Sequence, residues 1–290
     1  MKTYRYLLLS LYLLCAAPGF AAMVDTLQIE SAAMVKTWRA GVVLPQSYKK
    51  SKTSFPVLYL LHGYSGNFRN WLTKTTDKQL LLNLADQYNI IIVTPDGGFS
   101  GWYLDSPINK ENQFETFISQ ELINKVDNTY RTIRDRKGRV ISGLSMGGHG
   151  ALYLATRHPD IYCAAGSMSG ALDLTKIIRK DIDQYFASII GPRTATPDLY
   201  QENSVVYMID KMKENNLPLI IDCGVDDILI EINRELHRRL VYSKVPHEYT
   251  ERPGAHTWPY WSDALPFHLL FFQKVWQQNG VLSQQTINKK

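Results

Sequence analysis

A chain of 290 residues with 45% hydrophobic and 20% charged side chains can bury one large core or two modest ones. Its formal charge of +5, or +3 without Lys2 and Arg5, comes with no Lys/Arg tract, which argues against nucleic-acid or membrane-surface binding. Three cysteines with no CxxC spacing exclude a disulfide scaffold and a cysteine-rich metal site.

In chain order, Met1-Lys-Thr-Tyr-Arg5 leads into an apolar run over residues 6–17, followed by Pro18-Gly19 and small residues up to Ala22. A basic start, a short apolar stretch and small residues at Gly19 and Ala21 predict a secretory leader over residues 1–21, cut after Ala21. The run is shorter than the roughly 20 residues that span a bilayer, and bulky Leu14 before Cys15 disfavours lipoprotein processing. The expectation is export, to the periplasm or beyond, with no stable membrane insertion once the leader is removed. Residues 22–290 contain no repeat, linker or shift of composition, so one domain is expected there.

Strand-like apolar runs follow at residues 38–44, 57–62, 90–94, 140–142, 162–168, 219–222 and 247–251. Helical patterns alternate with them at residues 76–87, 114–129, 146–158, 205–215, 229–242 and 262–278. That alternation predicts an α/β fold: a mostly parallel sheet with helices on both faces, its chemistry beyond the carboxyl ends of the strands. Cys163 and Cys223 then fall at opposite ends of parallel strands, too far apart for the Cα separation of about 5.5 Å that a disulfide needs.

One strand-to-helix junction reads Gly143-Leu-Ser-Met-Gly147, the G-x-S-x-G pattern of a sharp turn that lifts a serine clear of the sheet at the start of a helix. Ser145 is the candidate nucleophile, and the backbone N–H of Met146 a candidate oxyanion donor. A serine hydroxyl needs a base, and the base an orienting acid, in the order Ser, Asp or Glu, His. Of seven histidines, His237 and His268 sit in helical patterns, His158 at a helix end, His247 at a strand start, and His149 one turn beyond Ser145. His62 lies on an earlier loop, which leaves His256, between the last strand and the last helix. The acid is expected in Asp222-Cys-Gly-Val-Asp-Asp227; Asp227 is the choice, with Asp226 the alternative. His62-Gly63 closes the second strand-like run, which makes the N–H of Tyr64 the second oxyanion donor. Trp71, Trp102 and Trp258 fall on loops near this rim, where they either stack on substrate or pack the loops.

Taken together, Leu61-His-Gly-Tyr-Ser-Gly-Asn67, Gly143-Leu-Ser-Met-Gly-Gly-His-Gly-Ala151, Asp222-Cys-Gly-Val-Asp-Asp227 and Gly254-Ala-His-Thr-Trp258 resemble the esterase family of α/β-hydrolases. That family includes tributyrin-type esterases, S-formylglutathione hydrolases, feruloyl and acetylxylan esterases of carbohydrate esterase family one, and mycolyltransferases. The resemblance spans nearly the whole chain after the leader. It implies an α/β-hydrolase fold, a Ser-Asp-His triad, and neither metal nor cofactor; it also favours Asp227, since the family acid lies three residues after the glycine, here Gly224. The function it implies is a serine carboxylesterase acting on small-molecule or carbohydrate esters, with feruloyl or acetyl groups the first expectation. Export disfavours a glutathione thioester as substrate. A short-chain acyl esterase or thioesterase of S-formylglutathione-hydrolase type and an acyltransferase are the rival enzymes, and a catalytically silent carbohydrate-binding module the rival of another class.

Overall fold

The computed structural model describes residues 22–283; the leader expected at residues 1–21 lies outside them. Apolar runs without alternation make strands covered on both faces, and Val57–Leu61 (β3), Ile91–Pro95 (β4), Arg139–Leu144 (β5) and Ala164–Met168 (β6) are almost entirely buried. They join Met23–Ser31 (β1), Lys36–Leu44 (β2), Leu219–Gly224 (β7) and Glu248–Arg252 (β8) in one eight-stranded sheet, ordered β1-β2-β4-β3-β5-β6-β7-β8. β1 pairs antiparallel with β2, and β2 with β4; every other pairing is parallel.

Successive side chains of β3 go to opposite layers, as strand geometry requires. Val57, Tyr59 and Leu61 enter the core shared with the helix Met146–Arg157, while Leu58 and Leu60 enter the core under the helix Trp258–Gln278. That last helix presents Leu265, Leu269, Phe272 and Trp276, at the three- and four-residue spacing of one helical face, to the same layer. Parallel register aligns Leu61 with Gly143, Leu144 with Met168, Met168 with Asp222, and Gly224 with Arg252. The loops after β3, β5, β6, β7 and β8 therefore leave from one edge of the sheet.

The α/β expectation holds, with local departures. β1 does not stand out in the sequence because Asp25, Thr26, Gln28 and Glu30 are exposed and only Leu27 and Ile29 are buried apolar side chains. The helix expected from residue 76 begins at Leu80 and stops where Asn89 adopts a left-handed conformation, φ 54°. Residues 114–129 are helical, but Phe117–Leu122 is wound as a π-helix. The expected helix at 205–215 is a 3-10 turn, Val205–Tyr207, followed by Ile209–Glu214. The last helix starts four residues early, at Trp258, with Pro259 in its first turn, where proline's missing N–H costs nothing. Between β6 and β7 the chain also forms two unanticipated helices, Lys180–Ile189 and Pro197–Glu202. Cys163 and Cys223 are buried and unpaired, as their placement predicts.

Candidate active site

Ser145 sits directly after β5 with φ 54° and ψ −118°, a backbone conformation that costs energy for any residue with a side chain. Both flanking glycines are dictated by crowding. A Cβ on Gly143 would lie 2.4 Å from the carbonyl oxygen of Gly147, and one on Gly147 would lie 2.6 Å from the carbonyl oxygens of Leu61 and His62. The turn is pinned by Ser145 N–H donating to the Met168 carbonyl at 2.9 Å, and by the Ser145 carbonyl accepting from His149 N–H at 3.0 Å. The hydroxyl is thereby held at the N-terminus of the helix Met146–Arg157, where the helix dipole favours negative charge.

From the loop after β8, His256 Nε2 lies 2.9 Å from Ser145 Oγ. Its Nδ1 lies 2.9 and 3.0 Å from the two carboxylate oxygens of Asp227, in the loop after β7. The ring is braced edge-on by Trp261, 4.9 Å between centroids. Asp227 is buried, and its Oδ1 also accepts the Leu229 N–H at 2.8 Å. Burial alone would raise the Asp227 carboxyl, but hydrogen bonding and charge from His256, helped by the Leu229 N–H and the Ser169 hydroxyl, outweigh it and hold the group below its ordinary value. Asp226 takes no part in this chain of hydrogen bonds: it is exposed, and its backbone N–H is spent on the Gly254 carbonyl.

Gly63 brings the loop after β3 against the serine, since a Cβ there would lie 3.3 Å from the Cβ of Ser145. The N–H groups of Tyr64 and Met146 are not used in the backbone hydrogen bonds of the described residues. Two side chains that the sequence does not single out fix this frame. His62, fully buried, has Nδ1 2.8 Å from the Gly63 carbonyl while Nε2 accepts the Gly97 N–H at 2.8 Å. That pair of partners assigns the proton to Nδ1 and immobilises the Gly63–Tyr64 turn. Ser169, just past β6, accepts the Trp261 indole N–H at 3.1 Å, and its hydroxyl helps hold the Asp227 carboxyl below its ordinary value. The signals available in sequence are the His-Gly pair and the small residues Ser167-Met-Ser-Gly170 at a strand's carboxyl end.

The serine and histidine open on a cavity of about 420 Å³. Its walls include Ile177, Ile182, Leu229 and Ile232, with Trp258 and Trp261 on the side of the last helix. Of the three tryptophans considered as substrate contacts, Trp258 is half-buried and lines the cavity. Trp102 also reaches the lining but is 1% exposed and packs on Phe186 at 4.6 Å. Trp71 is a correction: also 1% exposed, it donates its indole N–H to the Leu61 carbonyl at 2.9 Å and packs edge-on behind Trp258, so it is a packing residue. His149 is buried beside the site, with Nε2 2.7 Å from the Asn203 carbonyl; burial lowers its pKa to about 4, so the ring is neutral. Chemically, a hydroxyl within reach of an imidazole that is itself oriented by a carboxylate can act as a nucleophile toward a carbonyl carbon.

Comparison with known proteins points the same way. A family model described as "Putative esterase" matches residues 31–272. The chain is 32% identical over 214 residues to an acetyl esterase of Caldicellulosiruptor saccharolyticus, across 71% of this chain and 78% of that protein. It is 29% identical over 244 residues to an esterase of Mycobacterium tuberculosis, across 76% of this chain and 53% of the relative, about half its length. Among solved structures, a ferulic acid esterase matches with a TM-score of 0.77 at 31% identity, covering 89% of this chain and 99% of that one.

Proposed function

The chain belongs to the esterase family of α/β-hydrolases and is a serine hydrolase of carboxylic esters, and from that premise we propose that Ser145, His256 and Asp227 are its catalytic triad. The observation that carries the reading is the unbroken hydrogen-bonded chain from Ser145 Oγ through His256 to the buried Asp227, at the mouth of a cavity walled in part by apolar side chains. Ser145 Oγ attacks the ester carbonyl carbon while its proton passes to His256 Nε2. The carbonyl electrons move onto oxygen, and the oxyanion is held by the Tyr64 and Met146 N–H groups. Asp227 keeps the imidazole in the tautomer with Nδ1–H and stabilises the imidazolium. Collapse expels the alcohol, which takes the proton from His256; water then repeats the sequence on the acyl-serine and releases the acid.

The substrate we propose is a feruloyl or acetyl ester of carbohydrate, met after export behind the leader at residues 1–21, by a single domain formed from the remainder. Apolar walls suited to a hydroxycinnamoyl group support this, as do an acetyl esterase and a ferulic acid esterase among the similar proteins. No helix among the described residues is long and apolar enough to cross a membrane. A panel of acetyl, butyryl and feruloyl esters, run with and without an added acceptor alcohol, tests the assignment. Release of free acid with a preference for acetyl or feruloyl groups is the expected result; acyl capture by the alcohol in preference to water would make the protein a transferase.

A further inference from the structure

One wall of the cavity is built by a stretch with little regular structure, from Leu174 to the start of the helix Lys180–Ile189. Ile177 and Ile182 are nearly buried and line the cavity, while Ile178, at 76% exposure, stands at its rim. Such a strap leaves backbone carbonyls without ladder partners, and buried carbonyls need donors. Arg193 supplies them. Its Nη1 donates to the carbonyls of Leu174 at 2.8 Å and Thr175 at 3.2 Å; its Nη2 donates to the carbonyl of Ile177 at 3.0 Å and to Asp183 Oδ1 at 2.6 Å. The guanidinium also stacks over the Tyr200 ring at 4.3 Å, and the Tyr200 hydroxyl is anchored to the Gly191 carbonyl. One planar group, backed by an aromatic ring, therefore spans both ends of the strap and sets where Ile177 and Ile182 stand.

We infer that Arg193 is a positioning residue that selects the acyl group, by holding the strap as the deep wall of the acyl pocket; this rests on the esterase reading above. Ser145, His256, Asp227 and the two oxyanion amides lie on other loops and make none of these bonds; the strap reaches them only through the exposed end of the Tyr64 side chain, whose ring lies 5.5 Å from the Arg179 guanidinium and whose hydroxyl donates to Asp181 Oδ2 at 3.4 Å, so chemistry on a small acyl group depends little on the strap. A bulky acyl group does, because its alignment with Ser145 is fixed by the wall it leans on. Lysine cannot replace the arrangement: an ammonium is a single point of donation and lacks the planar fork that reaches three carbonyls and a carboxylate at once.

The test compares p-nitrophenyl acetate with p-nitrophenyl ferulate, which share a leaving group and differ only in the acyl part, on the intact enzyme and on Arg193→Lys and Arg193→Ala. Misplacing a bound group by about 1 Å costs up to about a hundredfold, so kcat/KM for the ferulate should fall roughly tenfold to a hundredfold in both variants. Acetate turnover should stay within about twofold, as should the rate at which a fluorophosphonate labels Ser145. If Arg193→Ala does not fold, Arg193→Lys carries the comparison. Equal losses on both esters, or no loss on either, would overturn the positioning role while leaving the esterase reading intact. Failure of the unaltered enzyme to hydrolyse either ester would instead strike the esterase reading itself.

Discussion

Replacing Asp227 by asparagine changes one atom in the core of the site and should remove nearly all activity. Asp227 Oδ1 accepts the Leu229 N–H at 2.8 Å, so an asparagine settles with its carbonyl oxygen at that position and its amide nitrogen where Oδ2 stood. That nitrogen then faces His256 Nδ1 at about the present 2.9 Å, a donor against a donor, and leaves the Nδ1 proton only a share of Oδ1 at 3.0 Å, an atom already accepting from Leu229. The clash is relieved when the imidazole moves its proton to Nε2, the atom that must accept the proton of Ser145. Loss of the correct tautomer costs on the order of 10⁴ in kcat, equivalent to about 5 kcal/mol of transition-state stabilisation. The protein should stay folded, because the change is isosteric and the bond to Leu229 survives. Asp226→Asn, at an exposed side chain, should leave activity within about twofold. Steady-state hydrolysis of p-nitrophenyl acetate, with circular dichroism to monitor folding, makes the comparison. A mild effect at Asp227 beside a severe one at Asp226 would refute the reasoning.

Three further outcomes follow from the packing. Gly147→Ala should abolish activity and lower the melting temperature, since its Cβ meets two carbonyl oxygens at 2.6 Å, that of Leu61 at the end of β3 and that of His62 just after it, which cannot move far without disturbing the sheet; unchanged turnover and melting would contradict the crowding argument. Burial lowers the pKa of His149 to about 4 and of His268 to about 3, below the ordinary 6.5, so between these values the unfolded chain binds more protons than the folded one. Stability should therefore fall as pH drops from about 6.5 towards 3, by an amount on the order of a few kcal/mol, read from urea unfolding across that range; a flat profile would show that the two rings are not buried neutral. Trp258→Ala should weaken p-nitrophenyl ferulate roughly threefold to tenfold relative to the acetate. Trp71→Ala should act on stability instead, by about 3 to 5 kcal/mol, and on both esters alike; the reverse pattern would exchange the two roles.

Where a functional side chain imposes its own local geometry, the sequence makes it legible. Ser145 announces itself because its backbone conformation and the crowding around it demand glycine on both sides. His256 emerges by elimination, since the other histidines fall in elements that point elsewhere, and His149 and His268 are indeed buried in packing. The choice between Asp226 and Asp227 depends on which residue the turn after β7 points inward. The Asp227 N–H bonds back to the Gly224 carbonyl, while Asp226 is carried outward by its bond to Gly254. That is tertiary information, which the residues alone leave open and the resemblance to a family decides. The bracing roles of His62 and Ser169 stay hidden because their partners, Gly97 and Trp261, lie far along the chain and no spacing rule connects them. The strap between β6 and the helix Lys180–Ile189 is equally opaque: among the groups that hold it is an arginine that donates to carbonyls up to 19 residues away. Trp71 shows the opposite hazard, an aromatic on a presumed loop that the fold turns into the core.

The central claim is that Ser145 is the nucleophile of a serine hydrolase, and covalent labelling addresses it most directly. The intact protein, treated with a fluorophosphonate probe, should gain a single adduct that peptide mass spectrometry places on Ser145. Ser145→Ala should remain folded, take up no probe, and lose on the order of 10⁴-fold or more in ester turnover. An adduct on another residue, or labelling and turnover that persist in Ser145→Ala, would contradict the account.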